Sequence, residues 1–541
     1  MDSILRYRAG SREKRVSVSA AGHPEVRVRV EDDGERRTVT VTAREPIELI
    51  SYREVGQECF KVSRTARYFF NGYQSWTDTR ERMAWEVERN VKRLPKKLGE
   101  QYAFDRYGDA AFYEYDHWWL HGYDVFYVTG GGKGMVINLN YRNAYLVAQV
   151  RRSNGTITLH SDVSGVRLAA GESFTLCDYL YYRQTGEGME AFKRLFPKRE
   201  TKKIFGYTSW YNYYQNISES ILTRDLAALD GRFNLFQIDD GYETFVGDWL
   251  DVDEKKFPRG LAPLVNEIHG RGFMAGLWLA PFVAEEKSRL FREKPDWFRK
   301  GAGGKPIKCG SNWSGFYALD LDRQEVRDYI VNCLRHYVEM GFDFFKLDFL
   351  YAANVPEYPG RTRSQVAEDA YGLLREALGH QLILGCGATL MNAAGRFDYL
   401  RVGPDVSLKF DDVWYMRLLH RERISTKVTL QNTVYRSFMD GRLFGNDPDV
   451  FLLRDDNISL TPDQRKALIT LNALFGSVLM TSDNIADYDE AKRAALTEAL
   501  ALFEEAEVTE YHRQGRRIIV RYSLRGETRT LTYDTEKGVL L

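Results

Sequence analysis

Cysteine is scarce in this chain, and the little there is forms no pattern. The 541 residues hold five: Cys59, Cys177, Cys309, Cys333 and Cys386. An odd number with wide spacing and no CxxC pair indicates neither a disulfide framework nor a structural zinc site, so all five are read as free thiols. An excess of charge is also missing, because 76 basic residues cancel 76 acidic ones. Without a global field nothing draws the chain to nucleic acid or to an anionic membrane, and a neutral small molecule is the ligand that fits best. No segment approaches the roughly 18 uninterrupted apolar residues of a membrane span, and the opening MDSILRYRAGSREKRV lacks the roughly 7 to 15 apolar residues of a secretory signal. The protein is therefore expected to be cytosolic (cytoplasmic). The nine histidines show no HExxH and no close pairing, so no metal site is expected.

Apolar residues and aromatics are plentiful. At 44% apolar the chain can bury a large core and should hold two or three domains. Tyr, Phe and Trp make up 13%; most of them are read as core, and a sugar site would need only a few to stack on pyranose faces.

The texture of the sequence changes near residue 186. Before it, alternating segments such as VSVSA, VRVRV, TVTVTA, AYLVAQV and TITLHSD are separated by DDG, GGG and SNG, which predicts antiparallel sheets packed as a large sandwich. Residues 186–203, with the basic end MEAFKRLFPKRETKK, read as a helical linker. From 204 to 485 apolar strands alternate with amphipathic helices. The strand candidates are IFGYTSW, NLFQIDD, GFMAGLWLA, FDFFKLDF, QLILGCG, YLRVG, GRLFGND and SVLMTSD. Eight of them predict a (β/α)8 barrel; a doubly wound sheet would need a glycine-rich phosphate turn after the first strand, and TSWYNYY is not one. Residues 486–541 predict a helix followed by two or three strands of a small antiparallel domain. The fold class is thus multidomain: an N-terminal β sandwich over 1–185, a catalytic TIM barrel and a C-terminal β cap.

Barrel enzymes build their sites at the C-terminal ends of the strands. Here those ends carry Ser209, Trp210 and Tyr211; Asp239 and Asp240; Trp278; Lys346 and Asp348; Cys386; Arg401 and Asp405; and Asn446, Asp447 and Asp449. A lone Asp after a strand is more often a cap or turn former, and Trp278, Trp76 and Cys386 taken singly read as core. Lys346 and Asp348 are harder to dismiss. They alternate along one strand and point the same way, and a buried pair of this kind is costly unless mutual attraction or a ligand offsets it. Two carboxylates facing one pocket are also the minimum equipment for cleaving a glycosidic bond.

Taken together, FFKLDFL, QIDDGYE, GLWLAPF, ILGCG, RVGPD and SWYNYY, with NGYQSW in the β domain, resemble the motif set of the family 36 glycoside hydrolases, the α-galactosidases or melibiases, in the compact bacterial form. The likeness runs through almost the whole chain in the same order. It implies a retaining, exo-acting α-galactosidase that needs no cofactor. Asp348 matches the nucleophile and Asp405 the acid/base. Asp239 and Asp240 match the pair that grips the C4 and C6 hydroxyls, and Lys346 and Arg401 the basic residues on the ring hydroxyls. Trp278 and Tyr211 match substrate-side aromatics, Cys386 a residue near C2, and Trp76 an aromatic lent to the pocket by the β domain. The sequence departs from the common pattern in GATL after Cys386 and in the charged VSLKFDDVW after Asp405. An α-N-acetylgalactosaminidase on the same scaffold is the alternative, and a non-catalytic sugar-binding protein is disfavoured by the presence of both carboxylates. Association into a homo-oligomer stays open. On this reading Lys346 stabilises the Asp348 charge, and Arg401 points at sugar hydroxyls more than at Asp405.

Overall fold

The computed structural model describes all residues except 1, 20–22, 57–59, 61–62, 84, 89–98, 100, 114–117, 152 and 420. Cys59 lies outside the described residues, while Cys177, Cys309, Cys333 and Cys386 are buried free thiols.

The first third is built, among the described residues, from two antiparallel sheets of seven strands each. They share one core, to which Leu5, Tyr7 and Leu49 come from one sheet and Val39, Val41 and Val136 from the other. Alternation sets the faces. In Arg36–Ala43, Val39, Val41 and Ala43 are buried while the threonines between them are half-exposed, as a sheet packed on one side requires. The turn preceding that strand works through Asp33, whose Oδ1 accepts the amides of Glu35 and Arg36 at 3.0 and 2.7 Å, with Gly34 in the left-handed region at φ 96°. The sheets are larger than the sequence patterns suggest. Asp2–Ala9 pairs with both Arg12–Ser17 and Ile47–Val55, and the charged opening of the chain, which has no clean alternation, is an edge hairpin. Helix Thr185–Leu195 then lies on strand Gly134–Asn138, with Gly188 so close to Met135 that a β-carbon would sit 2.6 Å from its Cβ.

The barrel follows. Its strands in order are Ile204–Thr208, Leu235–Ile238, Met274–Leu279, Phe344–Leu347, Leu382–Gly385, Tyr399–Arg401, a seventh in two pieces (Gly445–Asp447 and Val450–Phe451), and Val478–Thr481. All neighbours run parallel. The first piece of strand seven pairs with strand six and the second with strand eight, so the sheet closes through one strand broken at Pro448 and Asp449. Proline cannot donate to a ladder, and Asp449 has φ 71°. The strands are buried on both faces, which is why they read as apolar runs. Helix Gln324–Met340 stops at Gly341, whose φ of 105° lets its amide reach the Tyr337 and Val338 carbonyls. Helix Arg363–Leu378 starts from a capping box between Thr362 and Gln365. A three-stranded sheet not foreseen in the sequence, Val283–Glu285, Lys308–Gly310 and Phe316–Ala318, is inserted after strand three.

Helix Glu490–Glu505 packs on helix Pro462–Phe475, and the chain ends in four antiparallel strands rather than the two or three expected: Glu507–Gln514, Arg517–Leu524, Glu527–Asp534 and Val539–Leu540. The short fourth strand was missed because two residues carry no alternation. No helix among the described residues is long and apolar enough to cross a membrane.

Candidate active site

Strand four ends in Lys346-Leu347-Asp348, and both polar side chains are buried. Asp348 is oriented by two donors: Trp278 Nε1 at 3.1 Å to Oδ2, and the amide of Phe349 at 2.7 Å to Oδ1. The second bond accompanies a left-handed Phe349 at φ 53°, an uncommon conformation for an aromatic residue and one that turns the chain sharply away from the strand. Lys346 extends in another direction than the sequence suggested. Its Nζ donates to Asp239 Oδ2 at 2.9 Å, at the end of strand two, instead of forming its hydrogen bond with Asp348. Burial opposes the Lys346 charge, but the Asp239 carboxylate, with Asp348 adding to it, raises the ammonium pKa above its ordinary value. Asp239 also accepts from Gln237 Nε2 at 2.7 Å and Thr208 Oγ1 at 3.1 Å, and it receives the amide of Asp240 at 2.9 Å.

Asp240 sits one residue further along and is held differently. Gln215 Nε2 donates to it at 3.1 Å and Trp313 Nε1 at 2.9 Å. Burial raises its pKa from its ordinary value. Trp313 stands on the turn of the inserted sheet, its ring edge-on to Trp278 at 6.0 Å and to Phe349 at 5.2 Å.

The other side of the mouth is organised by Arg401, and here the structure corrects the sequence reading. Arg401 does not turn away from Asp405. It donates through Nη1 to Asp405 Oδ1 at 2.9 Å and through Nε to Asp447 Oδ2 at 2.7 Å, and it pairs through Nη2 with Asp449 Oδ1 at 2.9 Å. The reason lies in the broken seventh strand, which aims both of its carboxylates at the end of strand six; a planar guanidinium presents a fork of donors that suits such a set. The carboxyls outnumber the cations, so protons are retained. Burial and the neighbouring carboxylates push Asp449 up to about 7 against the pull of Arg401. Asp405 is raised as well, by burial first and then by the Asp348 charge, with Arg401 and Lys346 opposing. Tyr211 is buried between these groups. Its hydroxyl donates to Asp449, and Asp405 is a further partner.

Trp76 does reach the barrel from the β domain. Its Nε1 donates to Cys386 Sγ at 3.3 Å, its ring is edge-on to Phe349 and Tyr351 at 5.4 and 5.5 Å, and the preceding amide of Ser75 bonds the Ala388 carbonyl at 2.9 Å. Burial and the Asp348 charge keep the Cys386 thiol protonated, well above its ordinary pKa. The NGYQSW loop is locked by Arg436, a fully buried side chain at the end of helix Thr426–Tyr435. Its guanidinium donates to Asn71 Oδ1, the Gln74 and Ser75 carbonyls and Thr79 Oγ1 of the β domain, and to the Val402 carbonyl of the barrel.

The ten residues given roles by the resemblance are all brought to this end of the barrel: Asp348, Asp405, Asp239, Asp240, Lys346, Arg401, Trp278, Cys386, Trp76 and Tyr211. Sequence reasoning missed Trp313, Gln215, Glu243 and Arg436, and it noted Asp447 and Asp449 without giving them a partner. For Trp313 a signal existed in GSNWSG, a tryptophan bracketed by turn residues between two short apolar segments. Among the described residues no group of three or more His, Cys, Asp or Glu is arranged to hold a metal ion.

A family model described as Melibiase matches residues 208–379. Alpha-galactosidase 1 of Pediococcus pentosaceus is 30% identical over 182 residues, 30% of this chain and 24% of that protein. Alpha-galactosidase AgaA of Geobacillus stearothermophilus is 24% identical over 351 residues, 58% of this chain and 46% of its own length. The alignments thus span about a quarter of the first curated relatives. Among solved structures, the α-galactosidase TtGalA from Thermus thermophilus, in complex with p-nitrophenyl α-D-galactopyranoside, superposes with a TM-score of 0.72 at 26% identity, covering 97% of this chain and 98% of that one. The family 36 enzyme AgaA shares the fold, with a TM-score of 0.59 at 14% identity over 94% of this chain and 72% of its own. With the melibiase match inside the barrel and the fold matched from end to end, the chain is similar to the melibiases, the α-galactosidases of glycoside hydrolase family 36.

Proposed function

We propose that the protein is a retaining, exo-acting α-galactosidase that releases terminal α-linked galactose from oligosaccharides or simple galactosides. The observation that carries this reading is the placement of Asp348 and Asp405 at one mouth in different surroundings. Asp348 is aimed by Trp278 and by the backbone amide of Phe349, as a nucleophile must be. Asp405 keeps its proton to higher pH than an ordinary carboxyl, as a general acid must. In the first step a bond forms between Asp348 and the anomeric carbon while the glycosidic C–O bond breaks, and the Asp405 proton goes to the leaving oxygen. In the second, water gives its proton to Asp405 and its oxygen to the anomeric carbon, releasing Asp348. Two displacements give net retention.

Asp239 and Asp240 take the C4 and C6 hydroxyls, with Lys346 offering its remaining N–H donors to the ring. Arg401 holds Asp405 in place as much as it touches sugar. Trp278 and Tyr211 form pocket walls. Cys386 is taken to line the C2 side, and with Trp76 lying against its sulfur a crowded C2 side favours galactose over its N-acetylated analogue. TtGalA has been seen with p-nitrophenyl α-D-galactopyranoside and with stachyose, and ligands of that class suit this pocket. The deciding experiment is a panel of nitrophenyl α-galactoside, α-N-acetylgalactosaminide and α-glucoside. Turnover of the first well above the other two is expected; equal or greater turnover of the acetamido sugar would replace this reading with its alternative.

Discrimination between galactose and glucose rests on the axial C4 hydroxyl. A site built to hydrogen-bond a hydroxyl rejects analogues lacking it by about 10⁴ to 10⁵, since its buried groups are left unpaired. Asp240→Asn should therefore lower activity and also shrink the galactose-to-glucose ratio of kcat/KM. An unchanged ratio would make Asp240 a structural residue.

A further inference from the structure

Glu243 is a buried carboxyl for which the catalytic reading has no use. It lies three residues after Asp240 in the tight QIDDGYE turn, where Gly241 at φ 116° passes so close to Gln215 that a β-carbon would stand 2.7 Å from its backbone. Glu243 is 4% exposed. One oxygen accepts the Gly241 amide at 3.3 Å, and the other, Oε1, is buried without a donor of its own. Burial and then the nearby Asp240 charge hold the Glu243 carboxyl well above its ordinary pKa. Among the described residues neither Asp240 nor Glu243 has a cation within ion-pair distance: Lys346 is on Asp239, and Lys256 Nζ is bound to the Gly241 and Gln215 carbonyls at 2.9 Å. The other titratable groups facing Glu243 are the buried phenols of Tyr242 and Tyr337. Two adjacent buried carboxylates with no counter-charge cannot both be ionised, whereas one proton between them converts repulsion into a charge-assisted hydrogen bond.

We infer that Glu243 is a positioning residue which, as a neutral acid, donates a hydrogen bond to Asp240 and so fixes the carboxylate that grips the sugar. Glu243 and the donors Gln215 and Trp313 approach Asp240 together, and the charge of Asp240 remains available to sugar hydroxyls. The inference rests on the proposed galactoside site and adds to it a residue that touches only another side chain. The sign with pH follows. When pH rises far enough to remove the shared proton, Glu243 turns from donor to repelling anion, Asp240 is displaced, and KM climbs while the chemistry at Asp348 and Asp405 is not directly affected.

The test compares Glu243→Gln and Glu243→Leu in the full-length protein. Gln keeps a neutral donor that cannot ionise, so KM for nitrophenyl α-galactoside at neutral pH should stay within about threefold of wild type, and the alkaline rise in KM should vanish. Leu removes the donor at similar volume, and KM should rise about tenfold or more at neutral pH, the usual scale for losing a hydrogen bond to a buried charge. Retention of the alkaline limb in Glu243→Gln, or identical behaviour of the two variants, would overturn the inference, and the Gln variant alone suffices if the Leu variant does not fold. An infrared difference spectrum of wild type minus Glu243→Gln reads the proton without reference to activity: a neutral carboxylic-acid C=O band is expected at neutral pH, and its absence would also overturn the inference. Inactivity of the wild type on every galactoside would instead remove the functional reading and leave the band to decide the shared proton.

Discussion

Asp348→Ala is expected to cut turnover of a nitrophenyl α-galactoside by on the order of 10⁴ or more, with azide restoring part of it as the β-galactosyl azide. Without the carboxylate no covalent intermediate forms, and the cavity left beneath the anomeric carbon admits a small anion from the same side, inverting the centre. Asp405→Ala should behave differently. Nitrophenolate leaves without much help from an acid, so the first step survives and the glycosyl-enzyme accumulates, while substrates with poor leaving groups lose about 10² to 10⁴. Azide then intercepts the intermediate from the face opposite Asp348 and gives the α-azide. The raised pKa of Asp405 adds a sign to this. The wild-type rate on poor leaving groups should hold as pH rises past the ordinary carboxyl range and decline only when Asp405 loses its proton, and that alkaline limb should be absent in Asp405→Ala. Azides of the same anomer from both variants would reverse or dissolve the assignment.

The second large effect is expected at Arg436, which never touches substrate. Arg436→Met keeps most of the volume and removes every donor, leaving buried acceptors on Asn71, Gln74, Ser75, Thr79 and Val402 without the partner they share. Each buried orphan costs about 1 to 3 kcal/mol. A drop of several degrees in Tm is expected, small in degrees because the chain is long. KM should rise with it, since the loop released is the one carrying Trp76 onto Cys386. Arg436→Lys, with a charge but no fork of donors, should fall between. An earlier melting point with unchanged KM would separate the clamp from the pocket.

What the sequence made legible was set by what leaves a periodic or compositional trace. Parallel strands buried on both faces read as apolar runs ending in polar residues, so Asp348, Asp405 and the Asp239–Asp240 pair could be placed at the mouth. Alternation told which side of its strand Lys346 occupies, but not that Asp239, at the end of a strand two places away, would reach it. The reach of Arg401 was misjudged for a related reason: GNDPDV looks like an ordinary turn, and nothing in it reveals that one strand resumes after the proline and swings two carboxylates onto Arg401. Trp313 and Arg436 were missed because a tryptophan delivered by an inserted hairpin, and an arginine whose partners are mostly carbonyls, follow no spacing rule. The fourth strand of the C-terminal sheet and the edge hairpin at the start leave little trace, because the one is two residues long and the other richly charged.

The lodging of Trp76 against Cys386, Phe349 and Tyr351 has a consequence for how such a protein can evolve. A barrel that carries its whole pocket can be cut out, fused elsewhere and traded between genes as a module. This one keeps a wall of its mouth on the preceding sandwich, 310 positions away in sequence from the sulfur it covers, and seals the junction with a buried guanidinium. A recombination that swapped the sandwich for an unrelated one would leave an open cup with aromatic residues facing solvent, so the two units are bound to be inherited, and to drift, together.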